Sequence, residues 1–198
     1  MKIYSCNLTQ ITQHELDEWF NSMSKDRKEA VMRLKVEDKR KSKIAADHLC
    51  RLAISEFCGV SPESIMFSFA EKGKPYAAGL DIFFNISHSG DIIACAVSDK
   101  EIGIDIEKIR PFNLKTAEKF AVADEIEHIK SMENGFFEIW TLKEAYFKCI
   151  GTGLGADIKN VSFRIEKNKI HCSAHGFECD FHNIADGYIC STCQKTQC

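Results

Sequence analysis

Two acidic side chains stand two residues apart in the run Gly103-Ile104-Asp105-Ile106-Glu107. Alternate side chains of a strand point to the same face, so we expect Asp105 and Glu107 side by side. Adjacent carboxylates repel each other, and carboxylate oxygens are the ligands that Mg²⁺ prefers, so the pair is a candidate cation site. The alternative is that both acids lie on the solvated face of an edge strand, and the spacing alone favours that alternative.

Residues 140–149 form a second pattern, which has the spacing of a helix. Glu144 and Lys148 are four residues apart and share one face, away from an apolar stripe of Leu142, Ala145, Tyr146 and Cys149. In a site, the pair would add a third carboxylate for a metal ion and a cation for a phosphate. On a helix surface the same pair is ordinary and contributes about 0.2–0.5 kcal/mol. Taken alone, the spacing favours the ordinary pair.

A third pattern, residues 85–90, reads Asn-Ile-Ser-His-Ser-Gly at the end of a predicted strand. Hydroxyls, an imidazole and backbone N–H groups converge there, which suits an oxyanion such as a phosphate. A serine hydrolase is disfavoured because Ser87 and His88 are neighbours in sequence and no G-x-S-x-G motif is present. A polar hairpin turn is the plain alternative.

In Gly73-Lys74-Pro75, the proline holds the preceding lysine in an extended conformation, although such turns are common.

The composition indicates a globular protein. The chain has 198 residues, of which 44% are hydrophobic and 28% charged, and its net charge is −3. Residues 25–51 alone carry ten basic and five acidic side chains, so this segment is +5 and the remainder −8. Such a patch suggests an anionic ligand or an acidic partner. A solvated helix face is the alternative for any single lysine, and a nucleic-acid binder is disfavoured because aromatics are not interleaved with the charges.

The ten cysteines lie mostly in apolar runs, which argues against a disulfide-stapled domain. The first residues lack an apolar core of signal-peptide length, and no apolar run approaches a membrane span. We therefore expect a reduced, cytoplasmic protein. Cys190 and Cys193 have C-x-x-C spacing, for which a zinc or redox site is one interpretation. We favour the alternative that Cys190 is a buried strand residue and Cys193 its frayed neighbour.

Hydrophobic periodicity predicts the elements that position these residues. Helices are expected over 37–58, 114–129 and 136–150. Strands are expected over 65–69, 82–87, 92–97, 102–107, 161–165, 170–173, 177–181 and 188–192. Helix followed by an antiparallel strand meander, twice, predicts an α+β fold of two similar halves, residues 1–101 and 102–198. That the two halves meet at one shared active site is implied only by the family resemblance described next.

In this order and spacing, the motifs resemble the Sfp-type 4′-phosphopantetheinyl transferases. The resemblance rests on Gly73-Lys-Pro75, on 85–90, on 103–107, on 140–148 and on the glycine run from Gly151, and it fades after about residue 163. It implies a pseudo-dimer of two α+β halves. It also implies a Mg²⁺-dependent reaction that moves the 4′-phosphopantetheine arm of coenzyme A to a serine of an apo carrier protein, releasing adenosine 3′,5′-bisphosphate.

The resemblance also implies roles for individual residues. Asp105, Glu107 and Glu144 would hold Mg²⁺, with Mn²⁺ as an alternative, and Lys148 would contact the phosphate under attack or assist the leaving group. The serine proton would go to Glu125, to Glu144 or to a water on the metal. Coenzyme A would be bound by Lys74 and Pro75 at the adenine, by Ser87 and His88 at the 3′-phosphate, and also by Lys143.

One position departs from the family pattern. Members usually carry a basic side chain near position 42 for the 3′-phosphate, whereas this chain has Ser42, flanked by Arg40, Lys41 and Lys43. These three residues are the candidates for that role, with Arg27 and Lys28 as further ones.

The expected partners are coenzyme A and an acidic apo acyl or peptidyl carrier protein, with no nucleic acid and no membrane, and the protein is expected to be a monomer. A degenerate module that binds carriers without catalysis is the main alternative, and the intact acids and Lys148 argue against it.

Overall fold

The computed structural model describes residues 1–70, 73–153, 155, 158–167 and 169–196. Lys72 of the predicted turn, Leu154 of the glycine run and Cys198 lie outside these residues. The first half contains β1 (Lys2–Asn7), α1 (Gln13–Ser22), α2 (Lys25–Met32), α3 (Glu37–Cys58), β2 (Phe67–Phe69), β3 (Pro75–Ala77), β4 (Phe83–Ser89) and β5 (Ile92–Ser98). The second half contains β6 (Ile102–Lys108), α4 (Leu114–Phe120), α5 (Ala123–Ser131), α6 (Gly135–Ile150), β7 (Phe163–Glu166), β8 (Lys169–Cys172), β9 (Phe177–His182) and β10 (Tyr188–Lys195).

The order of elements is the same in both halves: a strand, three helices, a two-stranded hairpin and two further strands. Each half forms an antiparallel three-stranded sheet, with the orders β1-β5-β4 and β6-β10-β9. The long helix α3 packs on the first sheet and α6 on the second. This arrangement confirms the α+β class with two similar halves. The proposed boundary at residues 101 and 102 falls where β6 begins, and it stays a prediction.

Several local predictions needed correction. The helix expected over 114–129 is two helices, α4 and α5, because Ala121 adopts an extended conformation between them. The strand expected from Ile65 begins only at Phe67. The elements β1, α1 and α2 were not predicted, although Thr12 and Glu15 form a capping box that is readable in the sequence.

Within the described residues, none of the helices has the length and apolar character needed to cross a membrane.

The two halves meet through an apolar layer between β5 and β6. Ile104 and its neighbours on one face of β6 pack against the alanines of β5, and all of these side chains are buried. This layer covers one face of β6. The opposite face carries Gly103, Asp105 and Glu107, and it is free to contact other elements. The strand therefore lies at the seam between the halves.

A buried carboxylate in α3 stabilises the first half. Asp47 is 2% exposed, and its two oxygens accept hydrogen bonds from Arg27 Nε at 2.7 Å and Arg51 Nε at 2.8 Å. Arg51 also donates to the carbonyl oxygens of Pro62 and Ile65. This network ties α2 and the segment after α3 to α3 itself. It occupies Arg27, which we had considered as a phosphate ligand.

We expect Asp47→Asn to lower the free energy of unfolding by about 3–5 kcal/mol, because it leaves two largely buried guanidinium groups without a counter-charge. Chemical denaturation followed by circular dichroism measures the loss. Glu29→Gln is the matched control, since Glu29 pairs with Arg33 at 3.7 Å on an exposed surface and is expected to matter little. Equal stabilities for the two variants would contradict the assignment.

Candidate active site

Strand β4 faces β6 with a row of polar side chains at alternate positions. The Asn85 side-chain oxygen accepts a hydrogen bond from the Ile104 N–H at 3.0 Å. Ser87 Oγ donates to Asp105 Oδ1 at 2.7 Å, and Ser89 Oγ donates to Glu107 Oε2 at 2.8 Å. Each of the two acids of β6 is therefore held by a hydroxyl from the other half of the protein.

The helix α6 brings a cation to the same place. Lys148 Nζ lies 2.5 Å from Asp105 Oδ1 and 2.9 Å from Ser87 Oγ. This contact requires Gly103, because a Cβ atom there would lie 2.0 Å from the Ala145 carbonyl oxygen of α6. Glu144 lies one turn before Lys148 and lines the same cleft. The predicted shared face of Asp105 and Glu107 and the predicted face of the Glu144–Lys148 pair are both confirmed.

The acids are not on a solvated edge. Asp105 is 4% exposed, and burial raises its pKa, although Lys148 and the Ser87 hydroxyl act in the opposite direction. The pKa of the Glu144 carboxyl is raised to about 7, first by burial and then by repulsion from Asp105, with Lys148 opposing and Glu107 adding to the increase. A cation that binds beside these carboxylates would reduce the repulsion between them, so its binding is favourable.

Glu107 is closer to solvent than Asp105 and has a second partner. Arg110 Nη1 donates to Glu107 Oε2 at 3.0 Å, and the arginine side chain is 59% exposed. The sequence pattern of residues 85–90 included Ser89 as a candidate ligand of an oxyanion, but not as a partner of Glu107, and sequence reasoning missed Arg110. The alternation of Asn85, Ser87 and Ser89 along one strand was the signal for Ser89, whereas the position of Arg110 depends on how the chain turns after β6.

The arrangement has the donor set for a hard cation. Within the described residues, Asp105 Oδ2 is the buried side-chain oxygen that has no hydrogen-bond partner. Asp105 lines the same cleft as Glu107 and Glu144, so three carboxylate side chains border it and could hold a cation. In the part of the chain that the structure describes, no three metal-type side chains already converge on one point. Small side-chain rotations would therefore accompany binding.

The acids lie in a cleft of about 1190 Å³ that is lined by both halves. The first half contributes the exposed His88 and, from α3, Lys41, Ser42 and Lys43. Lys43 is half-buried, and its pKa is lowered by desolvation and by the nearby Arg27. The cleft thus combines a carboxylate cluster with a basic wall, as an anionic ligand with a bound cation requires.

The structure does not bring Glu125 and Lys143 to this cleft. The two side chains are fully buried, and Lys143 Nζ lies 3.0 Å from Glu125 Oε2. Lys143 also donates to the carbonyl oxygens of Ile158 and Val161, and Glu125 Oε1 accepts from the Phe163 N–H. This placement corrects the expectation that Glu125 acts as a base and that Lys143 binds coenzyme A, because neither can contact a ligand in the cleft. The pair joins α5, α6 and the segment around β7.

Three further predicted ligands also lie apart from the cleft lining. Lys74 Nζ donates to the carbonyl oxygens of Cys149 at 2.7 Å and Ile102 at 3.3 Å, and burial lowers its pKa. Pro75 pairs with Phe69 in the β2–β3 hairpin. Arg40 donates from Nε to the Leu34 carbonyl oxygen at 2.6 Å, in the connection before α3. The Lys74 amine and the Arg40 Nε are thus engaged within the protein in this structure, and the expected roles of these three residues toward coenzyme A stay predictions.

Comparison with family models and with curated relatives points to a single family. The model of the 4′-phosphopantetheinyl transferase superfamily matches residues 101–193, and that of 4′-phosphopantetheinyl transferase, N-terminal, matches residues 10–100. A 4′-phosphopantetheinyl transferase of Bacillus subtilis is 34% identical over 84% of this chain and 77% of its own length. The transferase gsp of Aneurinibacillus migulanus is 36% identical over 81% and 68%, and Sfp of Bacillus subtilis (strain 168) is 31% identical over 85% and 78%. The chain therefore belongs to the 4′-phosphopantetheinyl transferase superfamily and is a transferase of the Sfp type.

Proposed function

We propose that the protein transfers the 4′-phosphopantetheine arm of coenzyme A to a serine hydroxyl of an apo acyl or peptidyl carrier protein, with Mg²⁺, and releases adenosine 3′,5′-bisphosphate. The observation that carries this proposal is the contact of Lys148 with Asp105 and Ser87 at the base of a cleft with a basic wall. Transfer to a phosphorus centre depends mostly on positioning and on charge neutralisation, and this cluster provides both.

Asp105, Glu107 and Glu144 are the residues that would hold Mg²⁺, or Mn²⁺ in its place. The unpartnered Asp105 Oδ2 supports this assignment, since a buried acceptor without a donor is costly. A cation held by these three carboxylates would supply neutralisation of charge on the pyrophosphate oxygens. Ser87 and Ser89 hold the carboxylates in place by donating to the oxygens named above.

Lys148 and Glu144 have different roles in this proposal. Lys148 Nζ is held between Asp105 and Ser87, from where it donates hydrogen bonds to the oxygens of the phosphate under attack. Glu144 is the proposed proton acceptor for the serine hydroxyl, because its carboxylate lines the cleft one turn of α6 before Lys148. The burial of Glu125 supports this choice between the two acids.

The basic wall of the cleft is the proposed site for the 3′-phosphate. Lys41 and Lys43 flank Ser42 on α3, and His88 adds an imidazole from β4. The +5 charge of residues 25–51 also favours an acidic carrier protein and would chiefly raise its association rate.

The direct test is incubation with coenzyme A, Mg²⁺ and a panel of apo acyl and peptidyl carrier proteins, followed by intact mass spectrometry. We expect at least one carrier to gain the mass of phosphopantetheine in step with release of adenosine 3′,5′-bisphosphate. A carrier whose acceptor serine is replaced by alanine is the control. Binding of coenzyme A with no mass gain on any carrier would instead identify a binding module.

Removing the buried carboxylate tests the cation site separately from activity. We expect Asp105→Asn to weaken binding of Mn²⁺, measured by electron paramagnetic resonance of the free ion, at least tenfold and to abolish turnover, because one of three carboxylate ligands is lost. Asp180→Asn removes an equal charge from an exposed position on β9 and should leave both values unchanged. Wild-type Mn²⁺ affinity in Asp105→Asn would exclude this carboxylate as a ligand.

Lys148→Met tests the role of the amine. We expect kcat to fall on the order of 10²–10³-fold, as for loss of a donor to the developing charge, with a much smaller change in the Kd for coenzyme A. Lys169→Met, at an exposed position of β8, controls for the loss of a positive charge. An effect confined to KM would mean that Lys148 only binds the substrate.

A further inference from the structure

Four cysteines from four separate elements meet in the apolar core of the second half, and none of them lines the cleft. They belong to one apolar cluster in the second half: Cys149 of α6, Cys172 of β8, Cys179 of β9 and Cys193 of β10. All four are reduced thiols in the structure. Because they lie far apart in the chain, only the fold brings them together.

Cys179 and Cys193 are at the centre of this cluster. The thiols of Cys193 and Cys179 influence each other's pKa, and each has a second thiol neighbour that does so, Cys149 for Cys193 and Cys172 for Cys179. Cys179 and Cys193 are also directly opposite each other in the antiparallel pairing of β9 and β10. Opposite residues in such a pair have Cα atoms about 4.5–5.5 Å apart. A disulfide requires about 4.4–6.8 Å, so the backbone is already suitably spaced.

Cys179 is the more accessible thiol of this pair. It lies on β9, the edge strand of its sheet, and is 7% exposed, whereas Cys193 on the central strand is 0% exposed. The neighbouring Cys172 is partly exposed. Cys149, on the buried face of α6, is 2% exposed.

The contacts also favour ionisation at Cys179. Hydrogen bonds from Cys172 and Cys193 lower its pKa, and this effect outweighs the opposing effect of burial. The same contacts raise the pKa of Cys172 and of Cys193. The thiolate is the reactive form of cysteine, so the group that ionises most readily is also the one nearer to solvent.

We propose that Cys179 and Cys193 are an oxidation site, which a hydroperoxide such as H₂O₂ converts into a disulfide across β9 and β10. The Cys179 sulfur attacks one peroxide oxygen, the O–O bond breaks, and the departing hydroxide takes up the Cys179 proton as water. The Cys193 sulfur then attacks the sulfenic acid. The S–S bond forms, and a second water leaves with the Cys193 proton. Two electrons pass from the two sulfurs to the peroxide.

The first half contains a matched thiol pair for comparison. Cys50 Sγ and Cys95 Sγ are 3.9 Å apart and buried, and contact with Cys95 together with burial raises the pKa of Cys50. Cys6, on the edge strand β1, is a partly exposed neighbour of this pair, but Cys50 lies on α3 and Cys95 on the central strand β5, so neither member of the pair is itself on an edge strand. We therefore expect peroxide to leave it reduced.

The experiment treats the reduced full-length protein with H₂O₂, blocks remaining thiols by alkylation, and measures intact mass. We expect a loss of two hydrogen atoms, two fewer alkylated thiols, and full reversal by dithiothreitol. Residues 170–194 contain no lysine or arginine, so cleavage before Asp180 and Asp186 is needed to separate the two cysteines for peptide mapping. A fragment ending at Cys179 should be joined to the fragment that contains Cys193.

Variants then separate the two steps. In Cys193→Ser, we expect no cross-link and a dimedone adduct on Cys179, the trapped sulfenic acid. In Cys50→Ser, the Cys179–Cys193 cross-link should form as in the wild type. Absence of this cross-link in the wild type, its replacement by Cys149–Cys193 or Cys50–Cys95, or absence of the dimedone adduct in Cys193→Ser would each overturn the proposal.

Discussion

Burial of the Asp105 carboxylate is the constraint on which the site depends. An isolated ionised carboxylate is costly to bury, so the fold must bring donors or a cation to it. The first half supplies Ser87 and the second half supplies Lys148, and both contact Oδ1. Neither half could satisfy this oxygen in the same way alone. The two-half architecture is thus a requirement of the chemistry as well as a way to build a core.

The approach of α6 to β6 follows from a single residue. Any side chain at position 103 would collide with the backbone of α6 at Ala145, so glycine permits the distance at which Lys148 reaches Asp105. The isoleucines on the opposite face of β6 hold the strand against β5. The strand is therefore fixed from both sides, and its acids have little freedom to move away from each other. Burial between these elements is the main reason that the pKa values of Asp105 and Glu144 are raised, and repulsion from neighbouring carboxylates adds to it.

The sequence was most informative where a property depends on nearby residues. Periodicity predicted three features that the structure contains. They are the helix over 37–58, the shared face of Asp105 and Glu107, and the one-turn spacing of Glu144 and Lys148. Motif resemblance supplied the family. It was less reliable for side chains whose partners are distant in sequence. Glu125 and Lys143 satisfy each other in the core, and no local pattern distinguishes such a pair from two site residues.

Two buried aspartates illustrate how the structure separates stability from function. Both oxygens of Asp47 accept hydrogen bonds from arginines, so its bonding capacity is used within the protein. Asp105 has both of its hydrogen bonds on Oδ1, while Oδ2 lacks a partner among the described residues. A buried acceptor left in this state lowers stability unless a ligand supplies the missing charge. By this criterion the carboxylate of α3 is structural, and that of β6 is the one poised for a ligand.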